Sequence, residues 1–121
     1  MTAPNLASPT TINGKTARTG ISTTATVGVV TNASSSGKVL KINSIFAANV
    51  ATDSTSVSVS VSIYDGSTDF YAAKDIFVPP NATQIIGQKD TYFYLEEGDQ
   101  LRVTAEAADK LNIIVGYEDI S

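Results

Sequence analysis

Three carboxylates, Glu96, Glu97 and Asp99, crowd the stretch LEEGDQL. Paired carboxylates do acid–base work when they face each other across a cleft from separate elements. Three on one tight turn read instead as a solvated turn, with Gly98 at positive φ. Asp65 and Asp69 in DGSTD, together with Asp119, carry oxygen donors suited to calcium. Their spacing is not that of an EF-hand loop, and a hairpin turn accounts for DGSTD. Nucleophilic chemistry has less to work with. The chain has no cysteine and no histidine, which removes thiolate nucleophiles, disulfides, the commonest general base and the usual zinc ligands. Serines are abundant, but no G-x-S-x-G elbow holds one. Gly14-Lys15-Thr16 has the tail of a P-loop, yet proline stands at position 9 where its first glycine belongs. Asn32-Ala33-Ser34 and Asn81-Ala82-Thr83 match the glycosylation acceptor, which has no consequence without an export signal. The expectation is a protein that is not an enzyme and carries no catalytic residue, cofactor or metal.

Charge points the same way. Eight basic and twelve acidic residues leave a net charge of −4. The basic residues are scattered, so neither nucleic acid nor an anionic membrane is an expected partner. Only 17% of residues are charged, and Ser, Thr, Ala and Asn supply the remaining polarity. Such a surface loses little on desolvation and suits protein–protein contact.

The elements that carry these residues read as β throughout. In SVSVSVSIYD, valine on every second residue puts Val57, Val59, Val61 and Ile63 on one face of a strand, whereas a helix would scatter them. The opposite row, Ser56, Ser58, Ser60 and Ser62, is small and polar and becomes a candidate contact face. Strands are expected over 15–19, 24–31, 38–49, 56–64, 70–78, 83–87, 92–95, 100–107 and 111–117. Turn residues separate them: NASSSG, ATDST, DGSTD, PPN, EEGD and ADK. The Ala-rich TAEAADK reads as a hairpin in preference to a helical turn. The phase of apolar residues slips within 38–49, which predicts a β-bulge near Asn43–Ser44. Short strands with turns every 8–12 residues describe an all-β antiparallel β-sandwich, jelly-roll or immunoglobulin-like, of seven to nine strands. Its expected core is Val27, Val29, Leu40, Ile42, Phe46, the Val57–Ile63 row, Ile76 or Phe77, Ile85, Leu95, Leu101, Val103, Ile113 and Val115. The sandwich occupies residues 14–121. Residues 1–13, rich in Thr and Pro, read as an extended N-terminal arm, either a frayed terminus or a strap on a neighbouring subunit with Leu6 and Ile12 as its anchors. Tyr92 and Tyr94 face one way from their strand and Phe93 the other, which offers a protein interface or a sugar platform.

The opening MTAPNL, the block TNASSSGKVLKINSIFAANV, the segment YFYLEEGDQLRVTA and the ending IIVGYEDIS carry a resemblance. On them, nearly the whole chain resembles the small β-sandwich structural proteins of tailed-bacteriophage virions, in particular those of phages that infect cyanobacteria. The resemblance implies assembly on the particle without catalysis. The expected role is a capsid decoration or cement protein that stabilises the shell through protein–protein contacts. The alternatives are a neck, tail or fibre component, and, ranked below these, a carbohydrate-binding module or a minimal hydrolase using Glu96 or Asp99. Expected partners are other virion proteins, first the major capsid protein, and further copies of the chain in a cyclic homo-oligomer such as a trimer. The opening residues have no basic or apolar signal region. Synthesis in the host cytoplasm and residence in the virion are expected. The expected interface residues are Leu6, Ile12, Ser58, Ser60, Tyr92 and Tyr94.

Overall fold

A computed structural model describes residues 4–121. The period-two pattern becomes strands: β1 (Ile12–Ile21), β2 (Val27–Thr31), β3 (Val39–Asn49), β4 (Val57–Tyr64), β5 (Asp69–Val78), β6 (Thr83–Gly87), β7 (Phe93–Leu95), β8 (Gln100–Ala105) and β9 (Leu111–Ile120). A single 3-10 turn spans Lys89–Thr91. The Ala-rich stretch after β8 is a turn, with Asp109 at φ 61°.

Two antiparallel sheets face each other, one ordered β1-β9-β3-β6 with β7 also on β3, the other β2-β8-β4-β5. The pairing is nested: β1 with β9, β2 with β8, β3 with β6 and β7, β4 with β5. That is one long hairpin rolled over a core, which is jelly-roll order; an immunoglobulin sandwich distributes its strands differently. The innermost hairpin closes at Asp65-Gly66. Asp65 Oδ1 accepts hydrogen bonds from the Ser67 and Thr68 N–H groups at 3.0 and 2.8 Å, and Gly66 takes φ 103°.

The core is the inward row of each strand. Val57, Val59 and Val61 meet Leu101, Val103, Ile113 and Val115, all fully buried. Each such side chain contributes roughly 1.5–3 kcal/mol. The expected bulge is present, between Ile42 and Ser44. It shifts the phase by one, so Ile45 and Ala47 are buried. Phe46 and Ile85, expected in the core, therefore lie outside, paired with each other on the outer face. A second irregularity between Ile45 and Phe46 lets Ile86 pack against the core in place of Ile85. In β2 a shift between Gly28 and Val30 makes Val30 the buried valine, with Val27 and Val29 half-buried.

Buried asparagines close the two ends. Asn32 Nδ2 donates to the Lys38 and Leu95 carbonyls, each at 3.0 Å, and its backbone bonds to Gly98 and Asp99. At the far end Asn49 Nδ2 donates to the Thr55 and Val78 carbonyls at 2.8 and 3.2 Å. Loops distant in sequence are thus held by single amides, as buried polar groups require.

Candidate functional site

Four of the acidic candidates, Asp65, Asp69, Asp99 and Asp119, are committed to structure. In LEEGDQL, Asp99 Oδ2 accepts the Glu96 N–H at 2.9 Å, and Gly98 takes φ 90° as expected of a tight turn. Asp65 holds its own turn. Asp69 accepts from Ser62 Oγ at 3.0 Å and meets Arg102 at 3.6 Å. Asp119, 6% exposed, receives Lys15 at 3.3 Å and Lys38 at 3.2 Å, so one carboxylate joins β1, β9 and the start of β3. Among the described residues, no three Asp or Glu come together as a metal site would require. Asp53 is held below the ordinary aspartate value, first by the Thr55 hydroxyl and then by Lys110. Ser35 and Lys38 stand at S-x-x-K spacing, the pattern of a Ser–Lys dyad. Lys38 is spent on Asp119, and Ser35 lies in a turn at φ 58°.

The serine row is not an open contact face. Ser60 sits opposite a bulge in β5, where the register skips between Val59 and Val61. Its Oγ accepts the Asp75 N–H at 2.9 Å, which holds Asp75 at φ 52°. Ser62 lies under Asp69 and is 3% exposed. Arg102, paired with Ser62 across β8, has its guanidinium 3.5 Å from the centre of the Tyr64 ring. Ser58 is half-buried, and its N–H donates to Glu106 at 3.0 Å. The row is a self-satisfied face, closed by side chains of its own sheet.

The other sheet presents a different outer face. Arg18, Ile114, Phe46 and Ile85 lie side by side across β1, β9, β3 and β6. Ile114 and Ile85 are 41% and 49% exposed. Small residues flank this apolar row: Thr16, Gly116 and Ser44 on one side, Gly20, Asn112 and Ala48 on the other. A Cβ on Gly116 would come within 2.8 Å of Ser44 Oγ, so glycine keeps the strands flush there. Lower on the same face stand Tyr94, paired with Lys41, and Tyr92, which meets Tyr94 edge-on at 5.7 Å. The Lys41 ammonium covers the Tyr92 ring at 4.2 Å. The two tyrosines are together, but one ring face is taken by lysine, which spoils a flat sugar platform. Sequence reasoning missed Phe46, Ile85 and Ile114 as surface residues. The signal was there: counting parity through the bulge it predicted puts Phe46 outside.

The arm is tied to its own sandwich. β1 begins at Ile12, inside the span read as arm, and Ile12 pairs with Ile120. Thr10 and Thr11 N–H groups donate to the Ser121 carbonyl at 2.7 and 3.0 Å. Leu6, 46% exposed, lines a recess of about 460 Å³ with Pro4, Val39, Phe93, Tyr94 and Glu96. Residues 1–3 of the expected arm lie outside the described residues. A second exposed group, Phe70, Tyr71 and Phe77, rides on edge strand β5, whose bulge and Lys74 discourage strand pairing.

No family model and no curated protein matches the chain.

Proposed function

We propose that this protein is a structural component of a tailed-phage virion, a capsid decoration protein that binds the shell and further copies of itself through the outer face of the β1-β9-β3-β6 sheet. The carrying observation is the Ile114–Phe46–Ile85 row, apolar and flanked by small residues, with Ile114 and Ile85 exposed on either side of a half-buried Phe46. Exposed apolar rows with a polar surround mark association surfaces. The resemblance to small virion sandwich proteins supplies the context, and the sparse charge agrees with a contact role. The action is passive: the sandwich is the rigid body, and its outer face bridges neighbours.

Binding of the purified protein to emptied particles, with copy number by quantitative mass spectrometry, tests the reading. Hundreds of copies per particle are expected on the order of the shell's own subunits. A few copies would move the protein to the neck or tail, and no binding would remove the virion reading.

A further inference from the structure

By register, Val39 and Ile120 point outward, on the same face as Lys41 and Glu118, yet they are only 7% and 4% exposed. Something on the outer face covers them. The segment beside them is the arm: Pro4 and Leu6 line one recess with Val39. Among the described residues, the hydrogen bonds of residues 4–9 are local: Ser8 N–H to the Asn5 carbonyl, and Ala7 N–H to Asn5 Oδ1, each at 3.0 Å. Among the described residues, no hydrogen bond holds this strip on its groove, and Leu6 is still half in water. The first fixed point is Thr10, bonded to Ser121, with Pro9 just before it.

We propose that the arm is exchanged between copies, residues 4–8 of one closing the Val39–Phe93–Tyr94 groove of another. The groove already fits this sequence, so a second copy offers identical contacts and only the connection changes. Among the described residues, no backbone hydrogen bond to the sandwich has to break. Four residue steps lead from Leu6 to Thr10 and reach at most about 14 Å. The accepting groove must therefore lie beside the donor's own chain ends, where β1, β9 and β3 meet. An uncovered groove would expose Val39 and Phe93 together, which favours a filled state over an open one. The proposal rests on the assembly reading above in that copies must meet.

The chain has no cysteine, which makes the test clean. Leu6→Cys and Val39→Cys copies are mixed in equal amounts and treated with a short bis-maleimide, alongside the doubly substituted chain. Light scattering on the same samples gives the oligomeric state. Exchange predicts mixed covalent dimers joining positions 6 and 39, rising with protein concentration. It also predicts that Leu6→Ser weakens association about tenfold, the order expected from losing part of one leucine's burial, with the melting temperature unchanged. Crosslinking confined to the doubly substituted chain, within single copies, in an oligomeric sample would overturn exchange and leave the assembly reading standing. A sample that is monomeric at every concentration would overturn exchange and count against self-association as well. Association unaffected by Leu6→Ser would also overturn it.

Discussion

The centres of the two outer faces of this jelly roll are built from opposite material, while Tyr71 and Phe77 stand exposed on β5 at the edge of the serine face. Behind the β2-β8-β4-β5 sheet, hydroxyls, Asp69, Asp75 and Arg102 satisfy one another, and the centre of the face is closed. Behind the β1-β9-β3-β6 sheet, Ile114, Phe46 and Ile85 have apolar surface and small neighbours, and the arm already covers one end. The more regular sequence, SVSVSVSIYD, forms the finished face. The irregular one, with its bulge and glycines, forms the face with contacts left to make. Regularity in a strand thus reports that a core row exists and does not identify which outer face meets a partner.

The contrast breaks most directly at the apolar row. Ile85→Glu together with Ile114→Glu places two charges where the proposed contact is buried. Loss of at least about 3 kcal/mol of association free energy is expected, the scale of central interface residues. The monomer should hold within about 0.5 kcal/mol per site, because each side chain is a surface residue in the isolated chain. Sedimentation and thermal melting read the two quantities separately. Equal loss of fold and association would erase the distinction between the faces.

Ser60 sharpens the comparison from the other side. Ser60→Ala removes the acceptor for the Asp75 N–H. It should cost about 1–2 kcal/mol of folding stability, seen in urea unfolding, and leave association alone. Lysine at Ser60, which on an open face would test an interface, here disturbs the monomer first. Ser58→Lys, at the half-buried end of the row, is expected to be nearly neutral in both measurements.

Much of the fold was legible because alternation is a backbone property. Each expected strand exists, most with ends within a few residues, and the β3 bulge falls where the phase slip put it. The jelly-roll order was not legible, since nested pairing depends on which distant strands meet. Gly98 was readable from its turn. Asn32 was read only as a glycosylation acceptor, because nothing local reveals that it ties two loops together. Leu6 was recognised as an anchor, but the groove it enters is made by Val39 and Tyr94, far away in sequence. The serine row misled for the same reason. Its partners are on β5 and β8, and a strand pattern does not show what the neighbouring strand lays over it.

The smallest effect lies in the hairpin that supports the closed face. The Asp65 carboxyl is held below the ordinary aspartate value of 3.8, first by the Thr68 N–H and next by the Ser67 N–H. A group with a lowered folded pKa stabilises the fold at pH above its unfolded value, and that contribution disappears as pH falls through the folded one. The melting temperature of the wild-type chain should therefore decline below about pH 4 with a component that Asp65→Asn lacks. Asparagine keeps an acceptor oxygen for the turn but cannot titrate. Because Asp65 is fully solvent-exposed, the difference between the two pH profiles should be slight. It should also be confined to folding, with association following the same curve in both proteins. If acid instead loosened association first, spared the fold, and did so only in the chain that keeps Asp65, the contact would include the serine-side hairpin after all, and the assignment of the two faces would have to be reversed.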